Sequence, residues 1–146
     1  MFRRKPPNKI LSSIIHRVKL AEMKLRVADN IRRENRWRPI NELVVTSAIA
    51  GMPISPEFLA RIYVNAAITD FNKARKELLK FKKEYVDKMK YSVSMVLIRD
   101  KIDEAILTLN EIMSINLASL EEVEPRVRKC TSLLQEAISV LEKYSS

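Results

Sequence analysis

The sequence predicts an all-α fold: a basic N-terminal arm and helix, followed by a C-terminal antiparallel helix bundle. Three observations point there. Apolar residues recur at three- and four-residue steps through most of the 146 residues. From Glu57 to Glu124 neither Gly nor Pro interrupts them. The one β-like run, Leu43-Val44-Val45-Thr46, lies inside a helical period.

Met1 to Pro7 reads as an extended basic arm, because Arg3, Arg4 and Lys5 are followed by Pro6 and Pro7, and consecutive prolines resist a helix interior. Asn8 can then cap a helix. Between Lys9 and Arg36 the stripe Ile10, Ile14, Val18, Ala21, Leu25, Ala28 has helical spacing. At 100° per residue Lys19, Arg26 and Arg33 flank it on one side and Arg17 and Lys24 on the other. The result is an apolar seam with cationic shoulders. Trp37-Arg38-Pro39 ends this helix, since a residue before proline is pushed out of the α region.

A short helix is predicted from Ile40 to Ala50, with Gly51 as its C-terminal cap and Met52-Pro53-Ile54 as a loop. Ser55-Pro56-Glu57 supplies an N-cap, a first-turn proline and a first-turn acid, so the next helix starts there. Ala60, Val64, Ala67, Phe71, Ala74, Leu78, Phe81 and Tyr85 carry one stripe. Met95, Ile98, Ile102, Ala105, Leu109 and Ile112 carry another with a shifted phase. The shift, near Tyr91 to Ser94, predicts two antiparallel helices joined by a tight turn, one continuous helix being the alternative. Ser119 and Glu122 have capping-box spacing ahead of Leu120, Val123, Val127, Cys130, Leu134, Ala137 and Leu141. Pro125 is expected to delay that last helix to its own position. The resulting division is residues 1–38 as arm and polyanion-binding amphipathic helix, 39–55 as short helix and hinge loop, and 56–146 as helix bundle.

Charge separates these parts. The chain carries 27 Lys/Arg against 18 Asp/Glu, a net charge of +9. Residues 1–50 hold 12 basic and 4 acidic residues, and residues 51–146 hold 15 and 14. A cationic block of this kind favours an anionic partner through counterion release and long-range attraction. A second stretch, Lys73, Arg75, Lys76, Lys80, Lys82, Lys83, Lys88 and Lys90, is diluted by Asp70, Glu77, Glu84 and Asp87. With pairs such as Glu84 and Lys88 available, it reads as a solvated face. One Gln and 31% charged residues fit a heat-adapted chain.

The same composition excludes several chemistries. One glycine cannot make a phosphate-cradling loop, and His16 with Cys130 cannot make a four-ligand zinc site. No run of 18 apolar residues predicts a membrane span or a signal peptide. His16 falls off the apolar stripe without a relay partner, and Cys130 occupies a core position. Asp100, Asp103 and Glu104, like Glu121, Glu122 and Glu124, read as solvated helix faces. Phe58, Tyr63, Phe71, Phe81 and Tyr85 read mostly as core. Trp37, set among arginines, can stack on a base or sugar, sit at a lipid headgroup, or anchor a helix end. The expectation is a protein without enzyme activity or cofactor, binding nucleic acid through Arg3, Arg4, Lys5, Lys9, Arg17, Lys19, Lys24, Arg26, Arg32, Arg33, Arg36, Trp37 and Arg38.

This layout resembles the major coat proteins of filamentous viruses of hyperthermophilic archaea. In that family a basic N-terminal arm and helical segment wrap the genome while a C-terminal helical bundle forms the shell of a helical filament. Met1 to Arg38 would match the wrapping part and Ser55 to Tyr144 the bundle. The resemblance implies non-specific coating of double-stranded DNA, self-association or a related second coat subunit, and residence in a virion. A second resemblance rests on Ile15-His16-Arg17-Val18-Lys19-Leu20-Ala21-Glu22 and Leu59-Ala60-Arg61-Ile62-Tyr63-Val64-Asn65, which look like the first helical hairpin of archaeal ESCRT-III-type membrane-remodelling proteins. That likeness implies a cytoplasmic polymer at an anionic membrane face. Against it, Trp37-Arg38-Pro39 breaks the first helix, Gly51 to Pro56 lengthens the hairpin tip, and the last segment lacks the family's proline-containing tail motif.

Overall fold

The computed structural model describes residues 5–35, 55–117 and 119–145. Among the described residues there are four helices: α1 (Pro7–Asn35), α2 (Pro56–Phe81), α3 (Val93–Ser114) and α4 (Leu120–Ser145). A single π-helical turn, Lys82–Val86, follows α2 directly, and no strand occurs among the described residues. The short helix predicted from Ile40 to Ala50, the Gly51 cap, the loop Met52 to Ile54 and the basic arm through Arg4 lie outside the described residues. The proposed boundary at residue 38 falls there too.

Two of the helices begin at a serine cap, and α1 begins at a proline. The first helical residue of α1 is Pro7, not a residue after Asn8, because a proline in the first position has no N–H to leave unsatisfied. The Pro6 carbonyl accepts from the N–H groups of Lys9 and Ile10, at 3.0 and 3.2 Å. Ser55 caps α2 as its sequence suggests, with Oγ accepting from the Phe58 N–H at 3.1 Å. Ser92 does the same for α3 through the Met95 N–H at 3.1 Å. The phase shift in the apolar pattern therefore marks a real break. The π turn closes with the Asp87 N–H on the Lys82 carbonyl at 2.9 Å, and the chain turns before Ser92.

Pro125 does not delay α4, which starts at Leu120 and contains the proline. The Ser119 carbonyl already accepts from Glu122 and Val123, at 3.2 Å each. The helix carries Pro125 in its second turn at the cost of the bond that an N–H there would have given the Glu121 carbonyl, while the next carbonyl, that of Glu122, accepts from the Arg126 side chain at 2.7 Å.

All four helices share one core. Leu11, Ile14, Ile15, Val18, Ala21 and Leu25 of α1 pack in the same cluster as Phe71 and Leu78, Ile102 and Leu109, and Leu134. Complete burial of each large side chain contributes about 1.5–3 kcal/mol, so α1 is integral to this core. Its buried arc is wider than the sequence stripe: Leu11 and Ile15 are buried and Ile10 only partly, because α1 packs against both α2 and α4. Phe58 is half exposed rather than core. The core's polar members are satisfied, with the Thr108 hydroxyl donating to the Glu104 carbonyl at 2.8 Å.

Contacts between neighbouring helices run in opposite order along the chain. Arg17 meets Glu77 while Arg32 meets Glu57 across α1 and α2. Lys101 meets Glu136 while Arg126 meets Glu111 across α3 and α4. The starts of α1 and α3 therefore gather at one end of the molecule with the ends of α2 and α4.

Candidate nucleic-acid interface

The cationic shoulders of α1 flank its buried stripe, so long side chains there can reach the adjoining helices. On one shoulder, Lys24 Nζ lies 2.5 Å from Asp70 Oδ2. Arg17 lies 3.2 Å from Glu77 Oε1 through Nε and 3.9 Å from Asp70 Oδ1 through Nη1. Asp70 is almost wholly buried, and a carboxylate at that depth requires such partners. Nearer the end of α1, Arg32 faces Glu57 at 3.7 Å. On the other shoulder, Arg26 contacts Glu22 at 3.2 Å and Glu124 of α4 at 3.4 Å, and Arg33 contacts Asp29 at 2.9 Å.

Five of the thirteen sequence-predicted contact residues, Arg17, Lys24, Arg26, Arg32 and Arg33, thus lie in intramolecular ion pairs. Arg3, Arg4, Arg36, Trp37 and Arg38 lie outside the described residues. Lys5, Lys9 and Lys19 are exposed and have no ion pair among the described residues. Lys5 is anchored by its backbone: its carbonyl accepts from the Tyr85 hydroxyl at 3.2 Å. Tyr85 in turn stacks on buried Phe81, with ring centroids 5.3 Å apart. This clasp sets the start of α1 beside the end of α2 and the π turn. Between them lies a cleft of about 300 Å³ lined by Lys5, Arg17, Lys80, Glu77, Glu84 and Tyr85 among others.

Comparison with protein-family models, curated proteins and solved structures finds no match to this chain.

In the sequence the cations of α2 read as diluted by neighbouring acids, and the structure distributes those acids differently. Asp70 and Glu77 turn toward α1, and Lys82 takes Asp103 of α3 at 2.6 Å. Arg75 reaches Asn110 and Asn72, both at 3.2 Å. Lys73, Lys76, Lys80 and Lys83 are left exposed without an ion pair among the described residues, and Glu84 does not pair with Lys88. At 100° per residue these four lysines fall within one outward quadrant, opposite Ala74 and Leu78. Their 3-4-3 spacing is a sequence signal for a shared face. Its lack of counterions appears only once the helices are packed.

The remaining candidates have structural surroundings. His16 is exposed. Cys130 is buried, with Sγ 3.9 Å from the Ala105 carbonyl, and desolvation pushes its thiol up to about 12. A protonated, buried thiol packs as a small apolar group. Glu104 pairs with Lys129 and Glu124 with Arg26. The Glu136 carboxylate accepts from Lys101 and holds its ammonium above its ordinary value. Among the described residues, no group of three His, Cys, Asp or Glu side chains converges as a metal-ligand set. No helix there is long and apolar enough to cross a membrane.

Proposed function

We propose that this is a non-enzymatic structural protein that self-assembles and coats nucleic acid without sequence specificity, as the coat or nucleocapsid subunit of a helical filament. The observation that carries the reading is the placement of Lys5 and Lys9. These cations have no ion pair among the described residues and stand at the start of α1, at the bundle end to which Tyr85 clasps the chain. Arg3 and Arg4 precede them directly in sequence. Cations free of internal partners release phosphate counterions on binding, with no need for base-edge contacts.

In this reading the helices form an antiparallel bundle that serves as the shell, and the nucleic acid, double-stranded DNA, runs past the end where α1 begins. Arg36, Trp37 and Arg38 are further contacts beyond the other end of α1. Self-association is supported by the outer face of α3, where Val93, Leu97 and Leu107 are 78%, 45% and 61% exposed. Apolar side chains grouped on an outward face favour a protein neighbour. A second reading, an ESCRT-III-type polymer on anionic membranes, draws support from the extensive packing of α1 along α2 as a helical hairpin.

One experiment separates the two. Purified protein is mixed with linear duplex DNA of unrelated sequences and, separately, with phosphatidylserine–phosphatidylcholine vesicles at matched salt. Filaments in negative stain together with nuclease protection of every duplex are the expected result. Vesicle co-sedimentation without duplex protection overturns the coat reading.

A further inference from the structure

We propose that the outward lysine stripe of α2 and the π turn, Lys73, Lys76, Lys80 and Lys83, is a second contact surface for the nucleic-acid backbone, continued past the π turn by Lys88. The inference rests on the coating function proposed above and assigns it residues that the N-terminal segment does not contain.

The stripe is a track. From Lys73 to Lys83 the helix rises about 15 Å at 1.5 Å per residue. That length passes roughly four phosphates of one strand at 3.4 Å each. The track adjoins the start of α1, since Lys80 and Lys5 line the same cleft, so both sets of cations can follow one backbone. The acids beside it are largely engaged elsewhere: Glu77 by Arg17, Asp70 by Arg17 and Lys24, and Asp103 by Lys82. Glu84 and Asp87 are the carboxylates near it without an ion pair among the described residues, so the surface stays net positive. Each lysine can exchange counterions for phosphate without breaking an ion pair among the described residues.

The surroundings favour a nucleic acid over a bilayer. The exposed apolar residues nearest in sequence beyond the π turn, Tyr91, Val93 and Leu97, belong to the connection and to α3. Val93 and Leu97 share the outward face of α3 with Asp100, which has no ion pair among the described residues and which an anionic membrane plane would repel. Beside the stripe a single apolar side chain, Leu79, is 45% exposed, and the exposed Phe58 and Ile62 of the same face lie eleven or more residues from Lys73 toward the start of the helix, so the lysines have no apolar anchors among them.

The test measures duplex affinity of the full chain from 50 to 300 mM salt for the wild type, for Lys73→Gln/Lys76→Gln/Lys80→Gln/Lys83→Gln, for the same four positions as Arg, and for Arg61→Gln/Arg128→Gln as a control. Removing one lysine–phosphate interaction lowers the slope of log Kobs against log salt by about 0.9. The quadruple Gln variant is expected to lose about 3.6 units of slope and at least tenfold in affinity at 100 mM salt, with the thermal midpoint held. The Arg variant is expected to keep the wild-type slope, and the control to stay within threefold. A Gln variant with the wild-type slope overturns this inference and leaves the coating function standing. A wild type that binds no duplex, with or without binding phosphatidylserine–phosphatidylcholine vesicles, overturns both.

Discussion

The shoulders of α1 and the outer stripe of α2 carry cations at similar helical spacing, yet their surroundings differ. The α1 shoulders border a buried seam, so Arg17 and Lys24 reach Asp70 and Glu77, while Arg26 reaches Glu124. The α2 stripe lies opposite its own buried face, and its lysines form no ion pair among the described residues, Asp70 and Glu77 being engaged by α1. Charge density along a sequence therefore does not rank cations by availability to a ligand. The angle between a cation and the buried stripe of its helix does, together with the helices packed on either side.

Breaking this contrast starts with the seam. Ile14→Ala should destabilise the chain by about 2–4 kcal/mol through reduced burial and a residual cavity. Unfolding should remain a single transition in urea, since α1 shares the core. Two separate transitions would mean that α1 is an appendage to the other helices. Next comes the pairing itself. Asp70→Ala should cost about 1–3 kcal/mol, below the range for fully buried pairs because Lys24 and Arg17 remain partly solvated. A loss under 0.5 kcal/mol in a urea melt would reduce Asp70 to an ordinary surface acid.

The interior also predicts an alkaline response. Folding holds the Cys130 proton to about 12, whereas the ordinary thiol value is 9.0. Below pH 9 both states keep the proton and the group contributes nothing to the pH dependence. Above it, the unfolded chain ionises first, and folded stability falls by up to about 1.4 kcal/mol per pH unit until the folded thiol ionises. Stability of Cys130→Ala relative to wild type should therefore rise between pH 9 and 11 in urea melts, lysine titration being common to both. A constant difference would place the thiol in contact with water. The smallest effect belongs to the outer stripe: Lys76→Gln, Lys80→Gln and Lys83→Gln should each leave stability within about 0.5 kcal/mol of wild type. A larger loss in thermal melts would expose a structural partner for these lysines.

Much of the fold is legible in the chain because apolar spacing is a local signal. Leu78 and Phe81, Ile98 and Ile102, Val127 and Cys130 all reach the core that their periodicity predicts. The break between α2 and α3 shows as a phase shift with Ser92 ready to cap. Pro125 misleads because α4 carries it in its second turn at the cost of one backbone bond rather than starting at it. Leu11 and Ile15 are missed because a helix between two neighbours buries more than one stripe. The charge pattern is less legible for a different reason: Lys24 and its partner Asp70 are 46 residues apart. Nothing local to either residue announces the pair, so Lys24 resembles a ligand-facing cation until α2 is packed beside α1.

Lysine reactivity puts that distinction to the most direct test. The full chain is labelled briefly with an amine-reactive acetylating reagent, free and bound to linear duplex DNA, and modification at each lysine is read by mass spectrometry. Lys24 should react slowly in both samples, while Lys73, Lys76, Lys80 and Lys83 should react quickly in the free protein and become protected on DNA. Protection of Lys24 alone by DNA, with the α2 lysines equally reactive in both samples, would contradict this division of the cations.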